Sequence, residues 1–264
     1  MFSLAFSTCP NDTFIFDPIV HRRIDLEGLL FDYRLADIEE LNLTAITEKT
    51  DMVKVSFHAW LSMQDRYELL NSGSAMGFGN GPLLIARSPI PDERIPDIRI
   101  ALPGEQTTAH LLFKTAFPQA RKKEFMRFSD IEDAILSGEV DAGVIIHENR
   151  FTYEQEGLVK IMDLGEYWED LTQSPIPLGG IVVKKGLGKE VIDKLNRIMS
   201  RSVQHAMDHP DEAMPFVRLH AREMDEEVMR KHINLYVNKF TLDPGEEGKR
   251  AIQTLIELGN KIDD

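Results

Sequence analysis

Cysteine is almost missing from this sequence: Cys9 is the only one among 264 residues. An internal disulfide is therefore excluded, and so is a metal site built on a cysteine pair. A lone thiol also fits a reducing compartment. Long apolar runs are missing too. Stretches such as Gly143-Val144-Ile145-Ile146 fall far short of the ~20 residues that a bilayer crossing needs. The first residues carry no basic region ahead of their apolar positions and no small-residue cleavage site, so they are expected to open a mature cytoplasmic protein as its first strand. Basic charge is scarce, with 30 Lys and Arg against 44 Asp and Glu and a formal net charge of −14. Nucleic acid and anionic membranes select basic patches, so neither is an expected partner. A small anion is not excluded, because one helix N-terminus or one arginine holds a carboxylate against an unfavourable overall field.

What is present is an alternation of patterns. Hydrophobic residues make up 42% and charged residues 28%, a balance that argues against disorder. Strand-like runs occupy 3–7, 29–35, 52–56, 82–87, 98–102, 142–146 and 180–184. Helix-like runs occupy 12–21, 38–47, 58–70, 108–117, 131–137 and 189–208. A helical tail continues through 211–223, 225–239 and 244–261, with Pro210 and Asp225 suited to helix starts. Strands alternating with helices predict an α/β fold. Two proline-bearing stretches, 88–96 and 174–180, are either surface loops or domain crossings. A weak internal similarity favours crossings. Asp51 leads a short apolar strand to His58, and Asp141 leads another to His147. The second, introduced by Gly138-Glu139-Val140-Asp141, resembles the periplasmic-binding-protein fold of the second type. That architecture predicts a discontinuous larger lobe (1–88 with 178–264) and a smaller lobe (89–177). Its ligand would lie between them, near strand ends.

Three segments share a strand–loop–helix grammar that aims backbone N–H groups at such a cleft. They are Ser7-Thr8-Cys9-Pro10-Asn11-Asp12, Lys54-Val55-Ser56 before the helix at His58, and Pro103-Gly104-Glu105-Gln106-Thr107-Thr108. Hydroxyls of Ser56, Thr107 and Thr108 are further candidate donors, although Ser and Thr also cap helices routinely. His147, at the end of an apolar strand, is the candidate general base; a hydrogen-bonded structural histidine is the alternative. His58 is a weaker candidate of the same kind, and His110 reads as a packing residue within a helix. No zinc-protease spacing surrounds His147, and the His205/His209 pair reads as a solvated face of the tail. Gly77-Phe78-Gly79-Asn80-Gly81 matches no nucleotide-binding loop and reads as a loop needing positive φ or a close backbone approach to a ligand. Cys9 reads as a small buried residue. Trp168 either walls a pocket for a flat ring or belongs to the core.

Taken together, several of these segments make the chain resemble the 1,4-dihydroxy-6-naphthoate synthases of the futalosine route to menaquinone. They are 7–16, Lys54-Val55-Ser56, Gly79-Asn80-Gly81-Pro82-Leu83, Pro103 to Ala109, Gly143 to Tyr153, Asp163-Leu164-Gly165-Glu166 and Pro177-Leu178-Gly179-Gly180. With Tyr236-Val237-Asn238 in the tail, the resemblance runs along essentially the whole chain. It implies a lyase that turns cyclic dehypoxanthinyl futalosine into 1,4-dihydroxy-6-naphthoate and dihydroxyacetone without cofactor or metal. It also implies that His147 accepts a proton, while Lys54, Val55 and Ser56 with Thr107, Thr108 and Ala109 line the substrate site. Asn11 and Asp12 join them as candidate substrate contacts. Arg150 is a candidate for the substrate carboxylate, an inter-lobe salt bridge being its alternative. Two rival readings are a solute-binding protein without chemistry and a chorismate dehydratase of the same route. The oligomeric state is open, a homo-oligomer included.

Overall fold

The computed structural model describes residues 1–221 and 225–263. In chain order its strands are β1 (Phe2–Phe6), β2 (Phe31–Leu35), β3 (Met52–Ser56), β4 (Tyr67–Leu69), β5 (Ala75–Gly77), β6 (Leu83–Ala86), β7 (Arg99–Leu102), β8 (Lys122–Phe125), β9 (Ala142–Ile145), β10 (Val159–Asp163) and β11 (Ile176–Lys184). The helices are α1 (Pro10–Val20), α2 (Ile38–Ile46), α3 (Phe57–Leu61), α4 (Thr108–Ala116), α5 (Ile131–Ser137), α6 (Leu164–Thr172), α7 (Lys189–Asp208), α8 (Pro210–His220), α9 (Glu226–Tyr236), α10 (Lys239–Leu242) and α11 (Gly245–Asp263). Among the described residues, no helix is long and apolar enough to cross a membrane.

Two sheets result. The first runs β2-β1-β3-β11-β4, with β5 also on β11; the second runs β10-β6-β9-β7-β8. Within the first, β1 is parallel to β2 and β3, whereas β11 returns antiparallel to β3, β4 and β5. The first lobe is therefore discontinuous, closed by a strand that follows the whole second sheet. Its boundaries differ from those expected. Leu83–Ala86 pairs with β9 and β10, so the first crossing is the glycine-rich 78–82 and not the proline-rich 88–96. The latter folds as a short 3-10 turn, Asp92–Asp97, on the second lobe. Prolines there cannot donate to a ladder, which makes them equally good loop and crossing signals.

Packing follows from residue periodicity. On α7, Ile192, Leu195, Ile198, Met199, Val203 and Ala206 recur at helical spacing and face the first sheet together with α1 and α8. α1 is covered by α7, α8 and α9 and is buried along nearly its whole length. A second apolar cluster crosses between the lobes. It joins Leu84, Ile100 and Val144 of the second sheet to Phe57, Met76, Ile176, Phe240 and Leu255. One expected helix is overturned: 58–70 is helical only over Phe57–Leu61, and Tyr67–Leu69 becomes a strand on β11. The Tyr67 hydroxyl donates to the Thr50 carbonyl at 2.7 Å, and this tertiary anchoring overrides the local pattern. The expected helix at 211–223 ends at His220, and its residues 222 and 223 lie outside the described residues.

Candidate active site

Parallel strands β1, β3, β7 and β9 all end at one place, and the loops that follow them enclose a cavity of about 80 Å³. From β1 and α1 come Ser7, Asn11 and Asp12; from β3 come Lys54 and Ser56; from the start of α4 come Thr107, Thr108 and Ala109; from beyond β9 comes His147. Asn80, Leu178, Gly179 and Tyr236 complete much of the wall. Ligand sites at strand C-termini are expected of open α/β sheets.

Charge on the floor is organised around a buried ion pair. Lys54 Nζ lies 3.1 Å from Asp12 Oδ1, with both side chains nearly inaccessible. Asp12 also accepts from the Ser7 hydroxyl at 2.7 Å and from Asn11 Nδ2 at 2.9 Å. Asn11 in turn presents Oδ1 to His232 Nε2 at 2.9 Å, which assigns the proton to that nitrogen. Burial holds the His232 pKa well below the ordinary histidine value, with His147, Arg150 and Lys54 adding repulsion, so its ring is neutral. Ser56 is oriented by Asn42, whose Oδ1 accepts from the Ser56 N–H at 2.9 Å and whose Nδ2 donates to the hydroxyl at 3.2 Å. That leaves the Ser56 proton to donate elsewhere.

His147 follows an extended Ile146 and adopts φ = 61°, a left-handed conformation unusual for a side chain with Cβ. Its ring packs edge-on against Phe128 at 4.8 Å and lies 6.3 Å from His232. Across the cavity, the Tyr236 ring lies tilted against His232, centroids 4.5 Å apart. Burial pushes the Tyr236 phenol up to about 12 despite Arg150 beside it, so it keeps its proton as a donor.

The lobes are tied together at the start of α4. The Thr108 hydroxyl donates to the Leu178 carbonyl at 2.7 Å, His58 Nδ1 meets the Thr107 carbonyl at 3.1 Å, and Glu39 accepts from Gln106 N–H at 3.1 Å. Gly104 makes the last contact sterically feasible, since a Cβ there would sit 2.5 Å from the Glu39 carboxyl. The Thr107 hydroxyl caps α4 by accepting from His110 N–H and itself donates to Gly104. Both threonine hydroxyls therefore have protein partners, and what α4 offers the cavity is the N–H groups of its first turn.

Residues 2–261 match the menaquinone biosynthesis family. The chain belongs to that family. Over 252 residues it is 43% identical to the 1,4-dihydroxy-6-naphthoate synthase of Thermus thermophilus, a match covering 96% of this chain and 91% of that one. The synthase of Streptomyces coelicolor is 42% identical over 258 residues, covering 96% and 90%. A solved structure from Archaeoglobus fulgidus, 33% identical, superposes with a TM-score of 0.93 over 98% of this chain and 97% of its own. The periplasmic aliphatic sulphonate binding protein of Escherichia coli is 11% identical with a TM-score of 0.67, over 98% and 86%, a likeness of fold alone. The two-sheet, periplasmic-binding-protein-like architecture with C-terminal helices is thus the fold of this menaquinone biosynthesis protein.

Of the residues singled out in its sequence, Asn11, Asp12, Lys54, Ser56, Thr107, Thr108, Ala109 and His147 converge on the cavity. Val55 does not. Strand alternation turns its side chain to the opposite face, among Leu41, Ala45 and Ala59. Arg150 is not part of the wall itself: it donates to the Gly81 carbonyl, pairs with Asp163 Oδ2 at 3.5 Å and hydrogen-bonds the hydroxyl of Tyr236, which does line the cavity. Asp163 caps α6 beyond the second sheet, so the ion pair stays within the second lobe, while the Arg150 contact with Tyr236 reaches α9 of the C-terminal helices. Trp168 is core, its indole donating to the Pro175 carbonyl. His58 and His110 are both buried, and burial lowers the His110 pKa to about 4. Sequence reasoning missed Asn42, His232, Asn80 and Tyr236. Asn80 and Tyr236 stand in segments that carry the resemblance but received no site role there; the other local signals were an i, i+4 aromatic pair in a tail helix and an asparagine between two glycines.

Proposed function

We propose that this chain is a carbon–carbon lyase of the cytoplasm that converts cyclic dehypoxanthinyl futalosine, a small organic anion, to 1,4-dihydroxy-6-naphthoate, with dihydroxyacetone as the second product. The two synthase relatives support the reaction class. One observation carries the chemistry: the His147 imidazole lines the same cavity as the first turn of α4 and the Lys54 ammonium. His147 removes an acidic proton beside a substrate carbonyl, the spiro ring fragments, and aromatisation drives the step. Negative charge develops on the carbonyl oxygen as the proton leaves. The N–H groups of Thr108 and Ala109 and the Ser56 hydroxyl are the donors that stabilise it, fixed beforehand by Thr107 and Asn42. The electrons move within one substrate molecule, so the reaction as written asks for no external oxidant or reductant. Lys54, held by Asp12, supplies positive charge to an otherwise acidic protein.

Purified chain incubated with the cyclic compound should release a fluorescent naphthol and dihydroxyacetone in equal amounts, both read by liquid chromatography with mass detection. Substrate retained and recovered unchanged would instead mark a binding protein. Water loss from chorismate with no reaction of the cyclic compound would mark a dehydratase.

A further inference from the structure

Asn80 is fully buried, lines the cavity, and has no hydrogen-bond partner among the described residues for either Oδ1 or Nδ2. A carboxamide carries two donors and an acceptor, and burying it unpaired is unfavourable unless something else completes it. Its backbone, by contrast, is pinned on both sides. Gly79, at φ +64°, donates its N–H to Glu169 Oε1 at 2.6 Å, and the Gly81 carbonyl accepts from Arg150. Gly81 also abuts Gly165, where an added Cβ would come within 2.3 Å of the Gly165 Cα. Space for the side chain is reserved as well, since a Cβ on Gly77 would sit 2.9 Å from Asn80 Nδ2. The loop thus fixes an amide in the cavity while giving that amide nothing to bond.

We propose that Asn80 binds neutral hydroxyls on the sugar-derived part of the substrate, separately from the groups that hold negative charge. This rests on the lyase reading above and adds the specificity element that reading lacks. Carboxylates and enolates only accept hydrogen bonds, so they would leave Oδ1 unpaired; they suit Lys54 and the N–H groups of α4, which only donate. A hydroxyl donates and accepts, and two adjacent hydroxyls satisfy both ends of the amide at once. A site built to hydrogen-bond a hydroxyl also discriminates strongly against molecules that lack it.

The test compares Asn80→Ala and Asn80→Asp with the unaltered protein on three measurements. These are steady-state kinetics on the cyclic compound, inhibition by 2-naphthoate (a ring and carboxylate without hydroxyls), and ligand-free Tm. For Asn80→Ala, kcat/KM should fall roughly 10- to 100-fold, largely through KM. Inhibition by 2-naphthoate should stay within about 2-fold, because none of its groups meets the amide. The ligand-free Tm should hold or rise, since no internal bond is lost. Asn80→Asp should lose kcat/KM at least as far, having traded a donor for a charge. Unchanged kcat/KM, an equal loss for substrate and 2-naphthoate, or a lowered Tm in Asn80→Ala would overturn the assignment and leave the lyase reading intact. Failure of the unaltered protein to make naphthoate from the cyclic compound would overturn both.

Discussion

At His147 the backbone and the side chain make opposing demands. The φ of 61° costs a residue with Cβ about 1 kcal/mol, and such strain persists where the surrounding structure enforces it. Replacing the ring with methyl in His147→Ala should lower kcat by roughly 10²- to 10⁴-fold while substrate affinity stays near that of the unaltered protein. His147→Gly should be equally inactive yet about 1 kcal/mol more stable than His147→Ala in urea unfolding, because glycine accepts this conformation. Equal stability of the two variants would mean that no strain is stored there. The Lys54–Asp12 pair places two opposite charges out of reach of solvent. Lys54→Met strands a buried carboxylate and should cost about 3–5 kcal/mol, whereas adding Asp12→Asn should recover much of that loss by the same measurement. Both residues were legible because a charged residue in an apolar strand, and an acid at a helix start, stand out locally. Asn80 and Tyr236 fall in segments that carry the family resemblance, but their roles were not legible, since those arise from what lies across the cavity.

Among the elements, the glycine pair at the lobe crossing is the sharpest constraint. Gly165 stands in the first turn of α6, where helix propensity alone would favour alanine by about 1 kcal/mol. A Cβ there would meet the Gly81 Cα and N at 2.8 Å, backbone that cannot rotate away. Gly165→Ala should therefore destabilise the protein by about 1–3 kcal/mol, against its propensity, and should raise KM by displacing the loop that carries Asn80. A variant more stable than the starting protein would remove the constraint. Element legibility followed the same division between local and distant causes. β3 and α7 matched their predicted spans because alternation and helical spacing are written locally. β8, which reads Lys122-Lys123-Glu124-Phe125, has a strand's backbone but an edge strand's polarity, so no apolar pattern announces it. β4 and β5 are three residues each and exist through their pairing with β11.

For the molecule as a whole, the apolar cluster shared between the lobes should couple their unfolding into one urea transition, as opening either lobe alone would expose Leu84, Ile100 and Leu255 together. Acid should weaken this single transition through its buried imidazoles. Both His232 and His110 have pKa values held below the ordinary 6.5, the latter at about 4. Below pH 6.5 the unfolded chain takes up protons that the folded chain refuses, so stability falls as pH falls from 6.5 toward 4. Each histidine contributes a slope of up to about 1.4 kcal/mol per pH unit. His110→Gln should flatten that slope in urea titrations between pH 7 and 5, and an unaltered slope would exonerate this residue. The two-lobe plan with its interrupted first lobe was readable from the repeated strand endings, but the crossing itself was misplaced because proline marks loops wherever they occur. Cys9 has a use that follows from its seat at the head of α1. It is buried, and burial together with Glu148 and Asp12 raises its thiol well above the usual range. With no other sulfhydryl in the chain, reaction with a disulfide reagent becomes a stopwatch for native-state breathing beside the cleft. A ligand that seals the cleft should slow it, with no engineered probe required.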